Sequence, residues 1–214
     1  MSVDEQRRQM VDRQLKVRGV TDPNVLRAFL SVPRHKFVPA EYVRQAYEDH
    51  PIPIGEDQTI SQPYIVALMV SQAQLQGHER VLEVGTGSGY QAAILAQLAL
   101  EVYTVERLPR LLRQAADRLA ELGYTNVHLS AGNGSLGWPE HAPYDAILVA
   151  AAAPDVPSSL VAQLAEGGRM ILPTGPPEAQ MLIKVEKRQG ELFRTQIAGC
   201  MFVPLIGREG WREG

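Results

Sequence analysis

Arg80-Val81-Leu82-Glu83-Val84-Gly85-Thr86-Gly87-Ser88-Gly89-Tyr90-Gln91 is the stretch whose reading decides the architecture of this chain. Val81, Leu82 and Val84 form a short apolar run suited to a buried strand, and Gly85, Gly87 and Gly89 then open a helix. Glycines there permit positive φ and a close approach of a ligand to the backbone, while the following helix presents unpaired N–H groups. The spacing is G-x-G-x-G. A dinucleotide fingerprint would carry its third glycine where Tyr90 stands, which argues against NAD. Glu83 lies at the end of the strand and no Lys or Arg occurs between Val81 and Ala99, so a pyrophosphate finds little to balance its charge. A ligand bearing an ammonium and a sulfonium is favoured. Glu106 stands 21 residues beyond Gly85, closing the strand-like run Val102 to Val105, where a carboxylate can accept both ribose hydroxyls. Together these features suggest S-adenosylmethionine, bound through residues 83 to 89 and Glu106.

Outward from this stretch the chain alternates. Strands are expected at 80–84, 101–105, 127–131, 144–149 and 169–173, and helices at 90–99, 108–122 and 157–165, with a loop after the third strand. Such alternation specifies a doubly wound, mostly parallel α/β sheet covered by helices on both faces. Residues 181–187 and 191–206 have only a turn at Gly190 between them and are expected to form a terminal antiparallel pair.

Upstream, residues 4–18 read as a helix with Met10, Val11 and Leu15 on one side and Gly19 just past its end. Asp22-Pro23 starts a second, with Val25, Leu26, Phe29 and Leu30 as its apolar stripe before Pro33. A short helix is expected within 39–47. The run H-P-I-P-I-G-E-D-Q-T-I-S-Q-P, residues 50–63, is expected to be irregular because of its prolines and glycine, and a loop of that length is usually functional. Pro63 opens the next helix, capped by Ser61 or Gln62, with Ile65, Leu68, Met69 and Ala73 turned inward. The division expected is an extension with an active-site loop at 1–62 packed on a core at 63–214, the two forming one compact domain.

The chain has 214 residues, 45% hydrophobic and 21% charged, enough for a large core without staples, and no apolar run reaches a membrane span. Its polar N-terminus does not read as a secretory signal, so a cytoplasmic location is expected. Net charge is −3, and residues 1–60 carry nine Lys or Arg against nine Asp or Glu, so nucleic acid is not an expected partner, nor is a membrane. Cys200 is the single cysteine, in an apolar setting that suits a structural thiol, and the five histidines show no ligand spacing, so no metal is expected.

In sheets of this kind ligands bind beyond the carboxyl ends of the strands. Two further loops fall there. Gly132-Asn133-Gly134 offers a side-chain amide that could read an adenine edge, or is a plain turn. Ala150 to Pro154 offers methyl groups and neither acid, base nor nucleophile. A carboxylate substrate needs none, being already an anionic nucleophile at neutral pH.

Several longer segments carry a family resemblance. They are Val32-Pro33-Arg34 with Phe37-Val38, Pro53-Ile54-Gly55, Gln58-Thr59-Ile60-Ser61-Gln62-Pro63-Tyr64, Ala142-Pro143-Tyr144-Asp145-Ala146-Ile147, Gly167-Gly168-Arg169, Leu172-Pro173 and Phe202-Val203-Pro204-Leu205. With the glycine-rich turn, they make the chain closely resemble the protein-L-isoaspartate O-methyltransferases, from its first helix to Gly207. The resemblance implies a Rossmann-like class I methyltransferase fold. It also implies methyl transfer from S-adenosylmethionine to the free α-carboxylate of isoaspartyl residues in damaged proteins and peptides, leaving S-adenosylhomocysteine and starting repair through a succinimide. By position, Ser61 is the active-site hydroxyl and Gln58, Thr59, Ile60 and Ser61 form the loop over the methyl donor. The turn Gly85, Thr86, Gly87, Ser88, Gly89 with Glu83, and Glu106, hold its methionine and ribose parts. The family usually has Gly-Asp-Gly where this chain has Gly132-Asn133-Gly134, and Asn133 can still accept from adenine through its amide oxygen, without the charge. Ser61 has a second reading as a helix N-cap. A monomer is expected. Methylation of another small acid or of RNA, or nucleotide binding without catalysis, are the competing functions.

Overall fold

The computed structural model describes residues 1–212. Helix α1 (Val3–Met10) starts at Ser2, whose hydroxyl accepts from Glu5 N–H while the Glu5 carboxylate reaches back to Ser2 N–H. Helical backbone continues through one widened turn at Val11–Leu15 and one tightened turn at Lys16–Arg18 to Gly19, at φ 88°. Met10, Val11 and Leu15 are buried as the spacing predicts. Asp22 caps α2 (Pro23–Ser31) by accepting from the N–H groups of Asn24 and Val25. Its inward face is Val25, Ala28 and Phe29; Leu30, expected there, is exposed, because the stripe turns with Ala28 rather than past Phe29. A 3-10 turn over Ala40–Gln45 takes the place of the expected short helix.

The stretch expected to be irregular is an antiparallel hairpin of β1 (Ile52–Gly55) and β2 (Gln58–Ile60). Ile52 and Ile54 point inward and Pro53 outward, and a two-stranded ribbon tolerates proline as a wide central sheet does not. Glu56 and Asp57 take φ of 53° and 54°, a two-residue turn whose twist matches that of its strands. The hairpin leads into α3 (Pro63–Ala73), which is apolar almost all round because it lies between the N-terminal helices and the sheet. Val66, Ala67, Met69, Val70 and Ala73 are buried, while Ile65 and Leu68, expected on the inward stripe with Met69 and Ala73, are half-buried.

The alternating region follows as β3 (Arg80–Val84), α4 (Tyr90–Ala96), β4 (Glu101–Glu106), α5 (Pro109–Glu121), β5 (Val127–Ala131), β6 (Tyr144–Val149), α6 (Ser158–Gln163), β7 (Leu164–Thr174), β8 (Gln180–Arg188) and β9 (Glu191–Cys200). Strand β7 begins five residues before the expected 169, directly on the end of α6, and β9 stops at Cys200 instead of running to 206. The sheet order is β5-β4-β3-β6-β7-β8-β9. The first five are parallel, and β8 and β9 add the antiparallel pair. Alternate residues split the core in two. Val81, Ala146, Leu148 and Ile171 pack with α3, α4, α5 and the N-terminal helices, whereas Leu82, Val84, Ile147 and Met170 pack with α6. Strand order reverses between β3 and β6.

One buried ion pair locks α3 to the sheet. Glu79, 2% exposed, accepts from the N–H groups of Gln76 and Gly77 at 2.9 Å and from Arg169 Nη2 at 3.1 Å. Arg169 also donates to the carbonyls of Ala73 and Gln74 at the end of α3. Burial alone would raise the Glu79 carboxyl, but these hydrogen bonds outweigh it and hold it below the ordinary carboxylate value. Stability from a depressed carboxyl is present above its unfolded value and is lost as pH falls through the folded one. Glu79→Gln is therefore expected to cost about 2 kcal/mol in urea unfolding at neutral pH. The gap to wild type should close in acid; a gap that stays constant would assign the loss to packing instead.

Candidate active site

The turn after β3 has the backbone its glycines permit. Gly85, Gly87 and Gly89 adopt φ of 93°, 53° and 86°, a region that side chains rarely enter. A Cβ on Gly89 would also stand 3.3 Å from Ala115 and 3.4 Å from Leu119 of α5, so packing requires the glycine as well. Two bonds tie the turn to the end of β4. Gly85 N–H donates to the Val105 carbonyl at 2.9 Å, and Gly87 N–H donates to Glu106 Oε2 at 2.9 Å. The other oxygen, Oε1, accepts from Leu108 N–H at 2.9 Å. Each carboxylate oxygen keeps a second lone pair for a hydroxyl in the cleft above.

Glu83 lies beneath the same turn, 0% exposed. Its Oε2 accepts from Thr104 Oγ1 at 2.6 Å, and Thr104 Oγ1 lies 2.6 Å from Thr86 Oγ1. Thr104 has given its one proton to Glu83, so Thr86 is the donor in the second bond. Glu83 Oε1 and Gln91 Nε2 are both buried and without a hydrogen bond among the described residues. Burial pushes the Glu83 carboxyl up to about 8 against the opposing pull of Thr104, and the like charge of Glu106 adds to the rise.

Above the turn opens a cleft at the carboxyl ends of β3, β4 and β6, where strand order reverses. Its floor is Val84 to Ser88, and Glu106 to Leu108 form one side. Gln58, Thr59 and Ile60 of the hairpin line it as well, with Ser61 just beyond, and so do Ala150 and Ala151. Ser61 stands one residue before Gln62, the N-cap of α3, and Gln62 makes no capping bond with its side chain. The Ser61 carbonyl accepts from Arg34 Nη2 at 2.8 Å.

Gln58, Thr59, Ile60, Ser61, Gly85, Thr86, Gly87, Ser88 and Glu106 thus line one cleft, with Glu83 directly under it and Gly89 at the α4–α5 contact. Gly132 and Asn133 stand beside the cleft. Asn133 Oδ1, the oxygen expected to meet adenine, accepts from Ser135 N–H at 3.1 Å and from Ser135 Oγ at 2.8 Å, capping the turn Gly134–Leu136. Gly134 is the residue of this loop that enters the wall, and a Cβ there would lie 2.5 Å from Val84 Cγ1. Sequence reasoning also missed the segment Val203 to Ile206, which crosses the cleft after β9 ends. Bonds of 2.8 Å run from Ala152 N–H to the Val203 carbonyl and from Leu205 N–H to the Ala152 carbonyl. Its apolar run looked like a strand, and nothing local marked it as a wall. Among the described residues no group of three or more His, Cys, Asp or Glu could hold a metal ion.

The model of the family "Protein-L-isoaspartate(D-aspartate) O-methyltransferase" matches residues 5–210. The chain belongs to this family. Similar relatives include protein-L-isoaspartate O-methyltransferases from Geobacter metallireducens, 52% identical over 99% of this chain and 98% of the relative, and from Methanoculleus marisnigri, 51% identical over 97% and 94%. Among solved structures, a protein-L-isoaspartate O-methyltransferase superposes with a TM-score of 0.85 at 32% identity, over 95% of this chain and 67% of the other. A Plasmodium falciparum protein assigned to the same family, in complex with S-adenosyl-L-homocysteine, superposes with a TM-score of 0.82 at 25% identity, over 97% and 100%. Family membership accounts for the class I methyltransferase sheet.

The buried acid under the turn makes a measurable prediction. A carboxyl whose folded value lies above its unfolded one keeps its proton longer in the folded state, so stability falls as pH rises from about 4.5 to about 8 and is flat beyond. Glu83→Gln removes the titrating group while keeping an acceptor for Thr104. The stability of the variant relative to wild type is expected to grow across that window in urea unfolding. Parallel pH curves for the two proteins would contradict the buried, proton-holding state of Glu83.

Proposed function

We propose that the chain transfers the methyl group of S-adenosylmethionine to the free α-carboxylate of L-isoaspartyl residues in proteins and peptides. The products are S-adenosylhomocysteine and a methyl ester, which closes to a succinimide when the neighbouring backbone amide nitrogen attacks it and methanol leaves. The observation that carries this reading is that Ser61 and the Ala150–Ala151 pair line the same cleft as the glycine turn. Nothing on the alanine side removes a proton, so the nucleophile must arrive already charged. A carboxylate does so at neutral pH, and an amine or an alcohol does not.

The residues present fit the donor. The free lone pairs of Glu106 suit ribose hydroxyls, and the orphaned buried atoms Glu83 Oε1 and Gln91 Nε2 leave polar capacity beneath the turn. Gly85 and Gly87 leave the backbone open, and the Cβ of any other residue at Gly85 would stand 3.6 Å from Ala150. When bound, S-adenosylmethionine supplies an electrophilic methyl group beside a sulfonium charge. Ser61 orients the substrate carboxylate by a hydrogen bond, and the hairpin with the 203–206 segment excludes water. Exclusion of water strengthens the attraction between the opposite charges, and positioning does most of the rest. Gly132 and Asn133 contribute by setting the turn that puts Gly134 into the wall. The extension, residues 1–62, and the core, 63–214, act as one unit, since the cleft takes walls from both. We place the reaction in the cytoplasm, with a monomer acting on isoaspartyl proteins and neither nucleic acid nor a membrane as partner. The net charge of −3 accords with that, and no helix of the described residues is long and apolar enough to cross a membrane.

A methyl-transfer assay that compares an isoaspartyl peptide with its aspartyl twin tests the reading. Methylation of the first alone is expected; equal methylation of both, or of small free acids only, would overturn it. Ser61→Ala is expected to slow transfer roughly ten- to a hundredfold, the worth of one hydrogen bond to a charged group. Melting temperature and S-adenosylhomocysteine affinity should stay at wild-type values, and an unchanged rate would remove Ser61 from the chemistry.

A further inference from the structure

Behind Ser61 sits a cation that the reaction above does not use. Arg34 is 0% exposed, although arginine is seldom buried without a paired acid. Its Nε donates to the Ala46 carbonyl at 2.7 Å and its Nη2 to the Ser61 carbonyl at 2.8 Å. The guanidinium lies over the Tyr90 ring, 4.8 Å from the centroid, and Phe29 and Phe37 meet that ring edge-on at 6.1 and 5.6 Å. Nη1 is buried without a hydrogen bond among the described residues. Asp49 acts on Arg34 only through its field, and its carboxylate is engaged by Arg18. Burial lowers the guanidinium to about 10, so it stays charged at neutral pH.

A buried charge held by two carbonyls and a ring is a poor source of stability, since an apolar side chain of similar volume would avoid the desolvation cost. What the fork does provide is geometry. Three segments distant in sequence meet on it: the strip after the 3-10 turn at Ala46, the hairpin exit at Ser61, and Tyr90, the first residue of α4. Ser61 and Tyr90 both line the cleft. The backbone at Ser61 lies between β2 and α3, and the α3 N-cap brings no side-chain capping bond to hold it there.

We infer that Arg34 is a positioning residue of the methyl transfer, fixing the Ser61 carbonyl against Tyr90 so that the Ser61 hydroxyl meets the substrate carboxylate. The inference rests on the proposed role of Ser61. Lysine offers a single mobile point charge and cannot hold two carbonyls in one plane, so Arg34→Lys keeps the charge and loses the fork.

The test is a double-mutant cycle read in kcat. Arg34→Lys is expected to lower kcat roughly ten- to a hundredfold, the scale of a small misplacement at a reacting centre. Its S-adenosylhomocysteine affinity by calorimetry should match wild type, since the glycine turn and Glu106 are untouched. Placed on Ser61→Ala, the same change should cost less than about twofold more, because residues acting as a unit are not additive. Losses that multiply in the double variant would overturn the inference and leave Arg34 as scaffold. Should Arg34→Lys not fold, Arg34→Gln, which sheds the buried charge and keeps a single donor nitrogen, enters the same cycle. A wild-type rate for Ser61→Ala alone would overturn the proposed role of Ser61, and this inference with it, before the cycle is closed.

Discussion

One carboxylate holds the centre of this protein together. Glu106 stands at the end of β4 and accepts from Gly87 N–H with one oxygen and from Leu108 N–H with the other. That bridge fixes a turn of three left-handed glycines relative to the neighbouring strand, and a glycine turn free of such ties would sample many conformations. The α4 and α5 helices start from the two ends of this bridge and pack on each other through Gly89, Ala115 and Leu119. A floor this well tied can present open backbone to a ligand without losing its shape.

The rest of the cleft is brought to that floor from far away in the chain. The hairpin 52–60 carries one wall and the 203–206 segment another, while the parallel sheet contributes only the ends of its strands. Charge is managed within the same few residues. Glu106, largely buried, still lines the cleft, whereas Glu83 is sealed under the turn with Thr104 and Thr86 as its hydrogen-bonded path toward the cleft. Two acids so close in sequence register thus have different environments and different work.

The doubly wound sheet was legible because its signals are local. Strands at 80–84 and 144–149 fall where the apolar runs put them, and the alternate glycines at 85, 87 and 89 take the positive φ their spacing implied. The hairpin was not legible, because Pro51, Pro53 and Gly55 read as breakers while the inward alternation of Ile52 and Ile54 spans too few residues to outweigh them. Asn133 shows another limit. Its residue type suits an adenine edge, yet its oxygen is taken by Ser135, two positions away. Arg34 stood in a recognisable tripeptide, but its partners at 46, 61 and 90 are set by tertiary packing, which no periodicity encodes.

The central claim is that hairpin, glycine turn and Glu106 make one site in which a carboxylate meets a methyl donor. A crystal structure of the protein with S-adenosylhomocysteine and an isoaspartyl peptide tests it most directly. The expected result places the ribose hydroxyls on Glu106 and the free α-carboxylate of the isoaspartyl residue within hydrogen-bond reach of Ser61. An adenosyl group bound away from the turn, or a peptide whose carboxylate lies remote from Ser61, would contradict it.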